Sequence, residues 1–432
     1  MRWIYRKIKQ VATSRREFIF EGNENMIFLP DKSFSCQDIK LLLKVNQYKG
    51  ENITRKLIEY FHTPVDCHPE NMASGDLYAD LMKMVYPLLA IKKMECDQIL
   101  TDIINGGDIY LFHDKQSGFA IIRNEIIPII IQFFHIRIFG RPCDNKILQI
   151  LSNNVIQFKK TISFISFPNE RIRKQVLHYI YSQCSDEVVS NIVKTNPSEV
   201  NKEQLSKLIM GVFFHTGVIQ VSEFVAHTIV ALSQNPTIQD SLRINIENDD
   251  YVKRILQESL RLYPLFGITN RIAEKDCCLN KDKIIPRGTN IIFSFVHCHS
   301  LGFKNPSKFD PDRWLNYNDK TTCYMPFGNG SRMCPAQNVA YNLATPLVRT
   351  MIRQHHFFSS IEHDRALTGG GLVYFSKKNK SFSTPIMLFF ISVREAITQL
   401  FYNVKVILNC NYMLHGDFLN SLLNGELKQK DI

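Results

Sequence analysis

"MPFGNGSRMCPAQNVA", Met325 to Ala340, sets one cysteine among two glycines, an arginine and a phenylalanine, just ahead of a stretch of helical character. A thiolate donates electron density strongly to iron. Gly328 and Gly330 supply the turn and let a flat cofactor approach the backbone. Backbone N–H groups and a dry cover tune such a sulfur, and Phe327 is suited to be the cover. Arg332 offers a planar fork for a carboxylate. Ala336 keeps the start of the next helix small. The competing reading is a buried cysteine in a glycine-rich turn, and the rest of the chain decides between the two.

The chain has 432 residues, 45% of them hydrophobic, enough for one large domain or two ordinary ones. The longest apolar runs, Ile126–Phe134 and Pro385–Val393, fall short of the ~18–20 residues that span a bilayer. The net charge is +11 and the pI about 9.0, which fits nucleic acid, an anionic membrane surface or an acidic protein partner. No zinc-finger spacing and no RNP-like strand is present, so no nucleic-acid partner is expected. Eleven cysteines without a CxxC pair point to a reducing compartment. Residues 1–28 form a basic segment. Its first sixteen residues, "MRWIYRKIKQVATSRR", hold six basic residues and no acid. They read as a solvated helix, a membrane-surface helix with Trp3, Ile4 and Ile8 on its apolar side, or a mitochondrial presequence. The location expected is cytoplasmic, soluble or peripheral on a membrane.

Residues 17–65 read as short strands and turns, and the apolar spacing from Asp76 to Ser233 is mostly helical. "CCLNKDKIIPRGTNIIFSFV" (Cys277–Val296) alternates, and Pro286 and Gly288 mark a hairpin turn. A second hairpin is expected at His363–Phe375, with three glycines at its tip. Pro346 should bend or end the helix after Cys334. The fold class is mainly α (α+β), with small antiparallel pieces placed late.

Phe327-x-x-Gly330-x-Arg332-x-Cys334-x-Ala336 resembles the haem-binding loop of the cytochrome P450 family, with alanine at the last place where glycine is usual. "ESLRLYP" and the later "FDPDRW" are similar to the family's buried ion triad, which the resemblance assigns to Glu258, Arg261 and Arg313. Arg271 stands where similar proteins bind a haem propionate. The helix within Ala73–Pro87 resembles one that carries a tryptophan and, four residues on, an arginine for the other propionate. Here those places read Tyr78 and Met82, with Lys83 next, so Tyr78 and Lys83 are the candidates. An ordinary amphipathic helix is the equal alternative. The resemblance covers roughly 70–376. It implies a haem domain over 29–376, haem b (iron protoporphyrin IX), Cys334 as axial iron ligand and a C-terminal extension over 377–432.

The chain departs from that family in Phe213–Pro236, which resembles the helix crossing the oxygen side of the haem. Thr216-Gly217 falls on the small pair that leaves space for a ligand. The acid and alcohol that relay protons in the family are replaced by Ile219 and Gln220, and neither titrates. Ser222-Glu223 lies nearby in reversed order. Three readings stay open. One is a monooxygenase inserting one atom of O2 into a small apolar organic substrate, with electrons from a separate acidic carrier (ferredoxin, flavodoxin or reductase). That carrier would meet Val348–His356. The second is a peroxide-using or rearranging haem-thiolate enzyme, and the third is a non-catalytic haem sensor. Thr216, Gly217 and Gln220 are the candidate catalytic residues.

Overall fold

The computed structural model describes residues 7–12, 26–44, 60–73, 75–106, 111–112, 115–193, 200–280, 283–364, 367, 369–379 and 383–423. Trp3 and Ile4 lie outside them.

Strand β1 (Met26–Leu29) precedes helix α1 (Cys36–Leu42), so part of the segment expected as strands and turns is helical. The reason is local: Ser35 accepts from the Asp38 N–H while Asp38 accepts from the Ser35 N–H, a reciprocal cap. Helices α2 (Pro69–Met72), α3 (Gly75–Leu89) and α4 (Lys93–Asn105) lead to β2 (Ser117–Ile121) and α5 (Ile122–Phe139). Four helices follow: α6 (Asn145–Ile162), α7 (Glu170–Gln183), α8 (Asp186–Ile192) and α9 (Lys202–Ile209). They start at Asp144, Asn169, Ser185 and Asn201, whose side chains each accept a first-turn N–H. Helix α9 continues through a π-helical stretch, Met210–Gly217, into α10 (Val218–Gln234). Beyond it lie α11 (Pro236–Ile244), α12 (Asp249–Leu262), β3 (Ile268–Ile272), β4 (Cys277–Asn280), β5 (Lys283–Ile285), β6 (Asn290–Ser294) and α13 (Phe295–Cys298). The chain closes with α14 (Gln337–Gln354), β7 (His356–Phe358), β8 (Leu372–Ser376) and α15 (Thr384–Leu423).

Helices α5 and α10 are apolar on nearly every face, and that is why they pack along each other at the centre of the molecule. Helices α6, α12 and α14 pack around them. The small sheets sit outside this bundle, in the orders β1-β6-β3, β2-β8-β7 and β4-β5.

Strand pairing differs from the sequence expectation in two places. The alternation around Pro286 does not close one hairpin: β4 pairs with β5, and the turn holding Gly288 (φ +84°) carries the chain on to β6, which pairs with β3 and, in parallel, with β1. Strand β8 pairs with β7 and β2, so its partner lies before the expected hairpin at His363. Alternation marks a strand but does not name its neighbour. Pro346 neither ends α14 nor shortens it; the helix runs through it to Gln354.

Among the described residues two helical stretches, Lys202–Gln234 and Thr384–Cys410, are long and apolar enough to cross a membrane, a correction to the count of unbroken apolar runs. The first is 78% buried and is the core helix; the second is only 17% buried. Helix α15 packs against β8 and buries Ile391, Glu395, Asn403, Val406 and Cys410. Ala12, from the basic N-terminal segment, shares a buried cluster with Val406 and Cys410.

Candidate functional site

The loop before α14 is built by backbone hydrogen bonds. Cys334 N–H donates to Phe327 O at 2.8 Å, Met333 N–H to Gly330 O at 3.1 Å and Gly328 N–H to Met325 O at 3.0 Å. Gly328 and Gly330 take φ of +77° and +75°, a region that side chains disfavour. At Gly330 an added Cβ would also press on Lys44 at 3.0 Å. Cys334 remains partly exposed. Phe327 is half-buried with its ring 5.7 Å from that of Tyr341, and Ala336 caps α14.

Two arginines converge beside this loop. Arg332 donates through Nη2 to Ala73 O at 2.6 Å and lies 3.9 Å over the Tyr78 ring, while its Nη1 is buried without an acceptor. Arg271, on β3, donates through Nη1 to Asn270 O at 2.8 Å, and its Nε is buried without an acceptor. Burial pushes the Arg271 pKa down to about 10, the nearby Arg332 charge adds to this, and Tyr78 opposes it. Among the described residues neither guanidinium forms an ion pair with a carboxylate. A buried and a half-buried guanidinium side by side, each with a buried donor unfilled, call for an anion. The carboxylates of a haem fit this donor set, and the Cys334 thiol, in the same loop as Arg332, is of the type that ligates iron. Lys83 does not join them: it pairs with Asp80 at 2.7 Å and its side chain is 75% exposed.

Each arginine should therefore count in a haem titration of the purified chain. Arg271→Ala and Arg332→Ala are each expected to weaken haem binding by roughly tenfold or more, the scale of a charged hydrogen bond. Unchanged affinity in both variants would remove the anion assignment.

Glu258 is the hub of a buried ionic node. Its carboxylate accepts from Arg261 Nε at 2.9 Å and Nη2 at 2.8 Å, Arg313 Nε at 2.8 Å, Trp314 Nε1 at 3.0 Å and Asp310 N at 2.9 Å. Arg313 also donates to the carbonyls of Lys304 and Lys308 at 2.7 and 2.9 Å. The node ties α12 to the segment that leads into the Cys334 loop.

On the long helix, Thr216 and Gly217 fall at the end of the π-helical stretch, a distortion often found at functional sites. Gly217 does not leave open space here. An added Cβ would meet the Phe134 ring at 3.0 Å and Val212 O at 3.1 Å, so Phe134 of α5 fills the place. Ile219 is buried and Gln220 half-buried. Glu223 belongs to a different node. Burial alone would raise its pKa, but Lys159, Arg123 and His227 hold it down to about 2, with Arg123 Nη1 at 2.7 Å. Sequence reasoning missed the neighbours of Thr216. His68 Nδ1 lies 3.3 Å from its hydroxyl, and behind it are Asp66 and His215. The only hint in the sequence was "HTPVDCH", His62–His68.

The basic stretch Val348–His356 is not a free docking patch. Arg349 pairs with Asp249 at 2.5 Å, Arg353 with Glu247, and His356 lies 3.9 Å from Asp240.

Comparison with known proteins places these features in a wider set. Residues 130–380 match the family model described as Cytochrome P450. A curated relative, "Probable cytochrome P450 6d5" of Drosophila melanogaster, is 26% identical over 311 residues, 60% of each chain. "Beta-amyrin 11-oxidase" of Glycyrrhiza uralensis is 27% identical over 289 residues, 60% of this chain and 56% of that one. The chain thus spans about 60% of the length of the curated relatives it matches. The retinoic-acid-bound cyanobacterial CYP120A1 superposes with a TM-score of 0.61 at 16% identity, over 81% of this chain and 88% of that one. CYP175A1 of Thermus thermophillus gives 0.60 at 17% identity, over 81% and 89%. These likenesses show the fold.

Proposed function

This chain belongs to the cytochrome P450 family, and from that premise we propose that it is a haem-thiolate monooxygenase inserting one atom of O2 into a small apolar organic substrate. The observation that carries this is the Cys334 loop set beside two arginines, Arg271 and Arg332, that each keep a buried donor without an acceptor. Haem b, when bound, supplies the activation of oxygen. Cys334 would hold its iron, Arg271 and Arg332 would hold its carboxylates, with Tyr78 stacked beneath Arg332, and Phe327 would cover the sulfur. Thr216 and Gln220 would offer hydrogen-bonding groups but no titratable one. The apolar substrate class follows from the usual lining of such pockets. Electrons come from a separate carrier, and the chain's net charge of +11 favours an acidic one.

Ile219 and Gln220 support a second reading, a peroxide-using or rearranging enzyme that needs no proton relay. Turnover of an apolar test panel under 18O2, with electrons from a reductase and a ferredoxin, separates the two. The monooxygenase reading expects one 18O per product. It also expects Ile219→Glu with Gln220→Thr to raise the yield of product per electron. Product formed with peroxide but never with electrons would replace it by the second reading. Tight carbon monoxide binding with neither turnover would leave a haem sensor.

The protein also works at a membrane surface from the cytoplasmic side, without spanning it. Helix α15 supports this. Ile386, Phe389, Phe390, Val393, Ile397, Leu400, Phe401, Val404 and Leu408 all face outward at three- and four-residue spacing. The opposite face is packed on the domain, so the helix is held lying along the surface. The exposed face carries Arg394 and no acid up to Cys410, and Ala12 of the N-terminal segment packs on the helix's buried side. Vesicle sedimentation should show binding that rises with anionic lipid. Phe389→Ser with Phe401→Ser should weaken it by at least about tenfold, given roughly 1.5–3 kcal/mol per buried phenylalanine. Binding that is absent, or unchanged by the pair, would leave the outward face to another partner.

A further inference from the structure

We propose that Asp66, His68 and His215 form a binding site for a divalent transition-metal ion of the zinc type, separate from the Cys334 loop. The three side chains come from two distant parts of the chain, the segment before α2 and the π-helical stretch. His215 Nδ1 lies 3.3 Å from His68 Nε2 and 3.8 Å from Asp66 Oδ1, and one ligand atom from each residue falls within 4.8 Å of the others. Nitrogen and oxygen ligands sit about 2.0–2.2 Å from zinc. Tetrahedral ligands at that radius are roughly 3.3–3.6 Å apart, close to the two edges of the triangle that meet at His215.

The polar atoms around the triangle point the same way. Asp66 Oδ2 accepts from Arg173 Nη1, from Thr63 N at 2.6 Å and from Thr63 Oγ1 at 2.9 Å. Asp66 Oδ1 is buried and has no hydrogen-bond partner. A buried carboxylate oxygen left this way is costly unless a cation or a proton meets it. Each imidazole has its far nitrogen on a polar partner. His215 Nε2 is 2.7 Å from the Asn154 amide, and His68 Nδ1 is 3.3 Å from the Thr216 hydroxyl. That is the outer hydrogen bond metal-binding histidines use to fix the ring and turn the other nitrogen inward. In its other orientation the Asn154 amide accepts from the His215 Nε2–H through Oδ1, which otherwise has no partner, and the His215 Nδ1 lone pair then faces the centre.

The local packing explains why the site is preformed. Both rings lie parallel to Phe158, with centroids at 5.1 Å for His68 and 4.3 Å for His215. Gly211 has no side chain where the Cys67 carbonyl presses against the long helix; any Cβ there would collide with it. Two nitrogens and one oxygen select zinc, cobalt or copper over magnesium or calcium. Arg173 already neutralises Asp66, so the dication keeps a water or hydroxide as its fourth ligand, an open position of the kind zinc sites retain.

The test uses the full haem-loaded chain. Zinc and iron per chain are measured by elemental analysis after gel filtration with one equivalent of Zn2+, and zinc affinity by competition with a chromophoric chelator. We expect one zinc per chain in addition to iron. Co2+ should give the visible bands of a four- or five-coordinate site. Asp66→Asn and His215→Ala should each weaken zinc binding by more than about tenfold, and Cys334→Ser should lose iron coordination while keeping the zinc. The cobalt spectrum of the unaltered chain needs no variant to fold. A folded wild-type chain that takes up neither Zn2+ nor Co2+ stoichiometrically would overturn the proposal. So would uptake indifferent to both ligand substitutions, which would place the metal elsewhere.

Discussion

Cys334→Ser should abolish turnover while leaving a folded protein. The loop's shape rests on its backbone: the Cys334 N–H to Phe327 O bond and the left-handed conformations of Gly328 and Gly330. Arg271 and Arg332, proposed to hold the haem carboxylates, are untouched. The loss therefore falls on the iron's electron donor alone. Serine is a far weaker donor than a thiolate. Loss of a metal ligand should exceed the roughly 10–100-fold cost of changing a group behind one. Carbon monoxide spectra of the reduced variant should lose the red-shifted band while circular dichroism stays native. A variant that kept the band would transfer the ligand role to another cysteine.

Glu258→Gln should be the most destabilising single change at the node that supports the site. The carboxylate is fully buried and takes hydrogen bonds from Arg261, Arg313, Trp314 and the Asp310 backbone. Removing its charge leaves two buried guanidinium groups without a counter-ion, a loss of about 3–5 kcal/mol. The denaturation midpoint should fall accordingly, and haem retention should suffer with it, because the node anchors the segment leading to Cys334. Glu247→Gln is the control. Its partner Arg353 is also an arginine, but the pair is exposed, so no measurable change in the midpoint is expected. Equal effects in the two variants would mean that burial does not give the Glu258 node its weight.

What the sequence revealed was what local spacing can encode. Phe327 to Ala336 lie within one turn of chain, and Glu258 and Arg261 are three residues apart on one helix, so their relation needed no fold. Arg271 and Arg332 were each readable as carboxylate binders, but their mutual approach over Tyr78 comes from packing β3 against the loop. Lys83 was misplaced because helix phase decides whether a side chain faces a site or solvent, and here Asp80 on the same helix holds it outward. Phe134 against Gly217 was invisible, since α5 and the long helix meet only in the folded core. Two further readings failed for a related reason. Alternation around Pro286 showed strands without naming their partners. Counting unbroken apolar runs missed that α15 is long and apolar enough to cross a membrane, because Arg394 and Glu395 interrupt the run while sitting on different faces. Asp66, His68 and His215 meet only because Gly211 admits the Cys67 carbonyl, a contact no spacing rule encodes.

The most direct test of the central claim is the absorption spectrum of the purified, haem-loaded chain, reduced with dithionite under carbon monoxide. A red-shifted Soret band of the thiolate type is the expected result and makes Cys334 the axial ligand. A band of the histidine or neutral-thiol type, in protein that is folded and loaded with haem, would contradict the account.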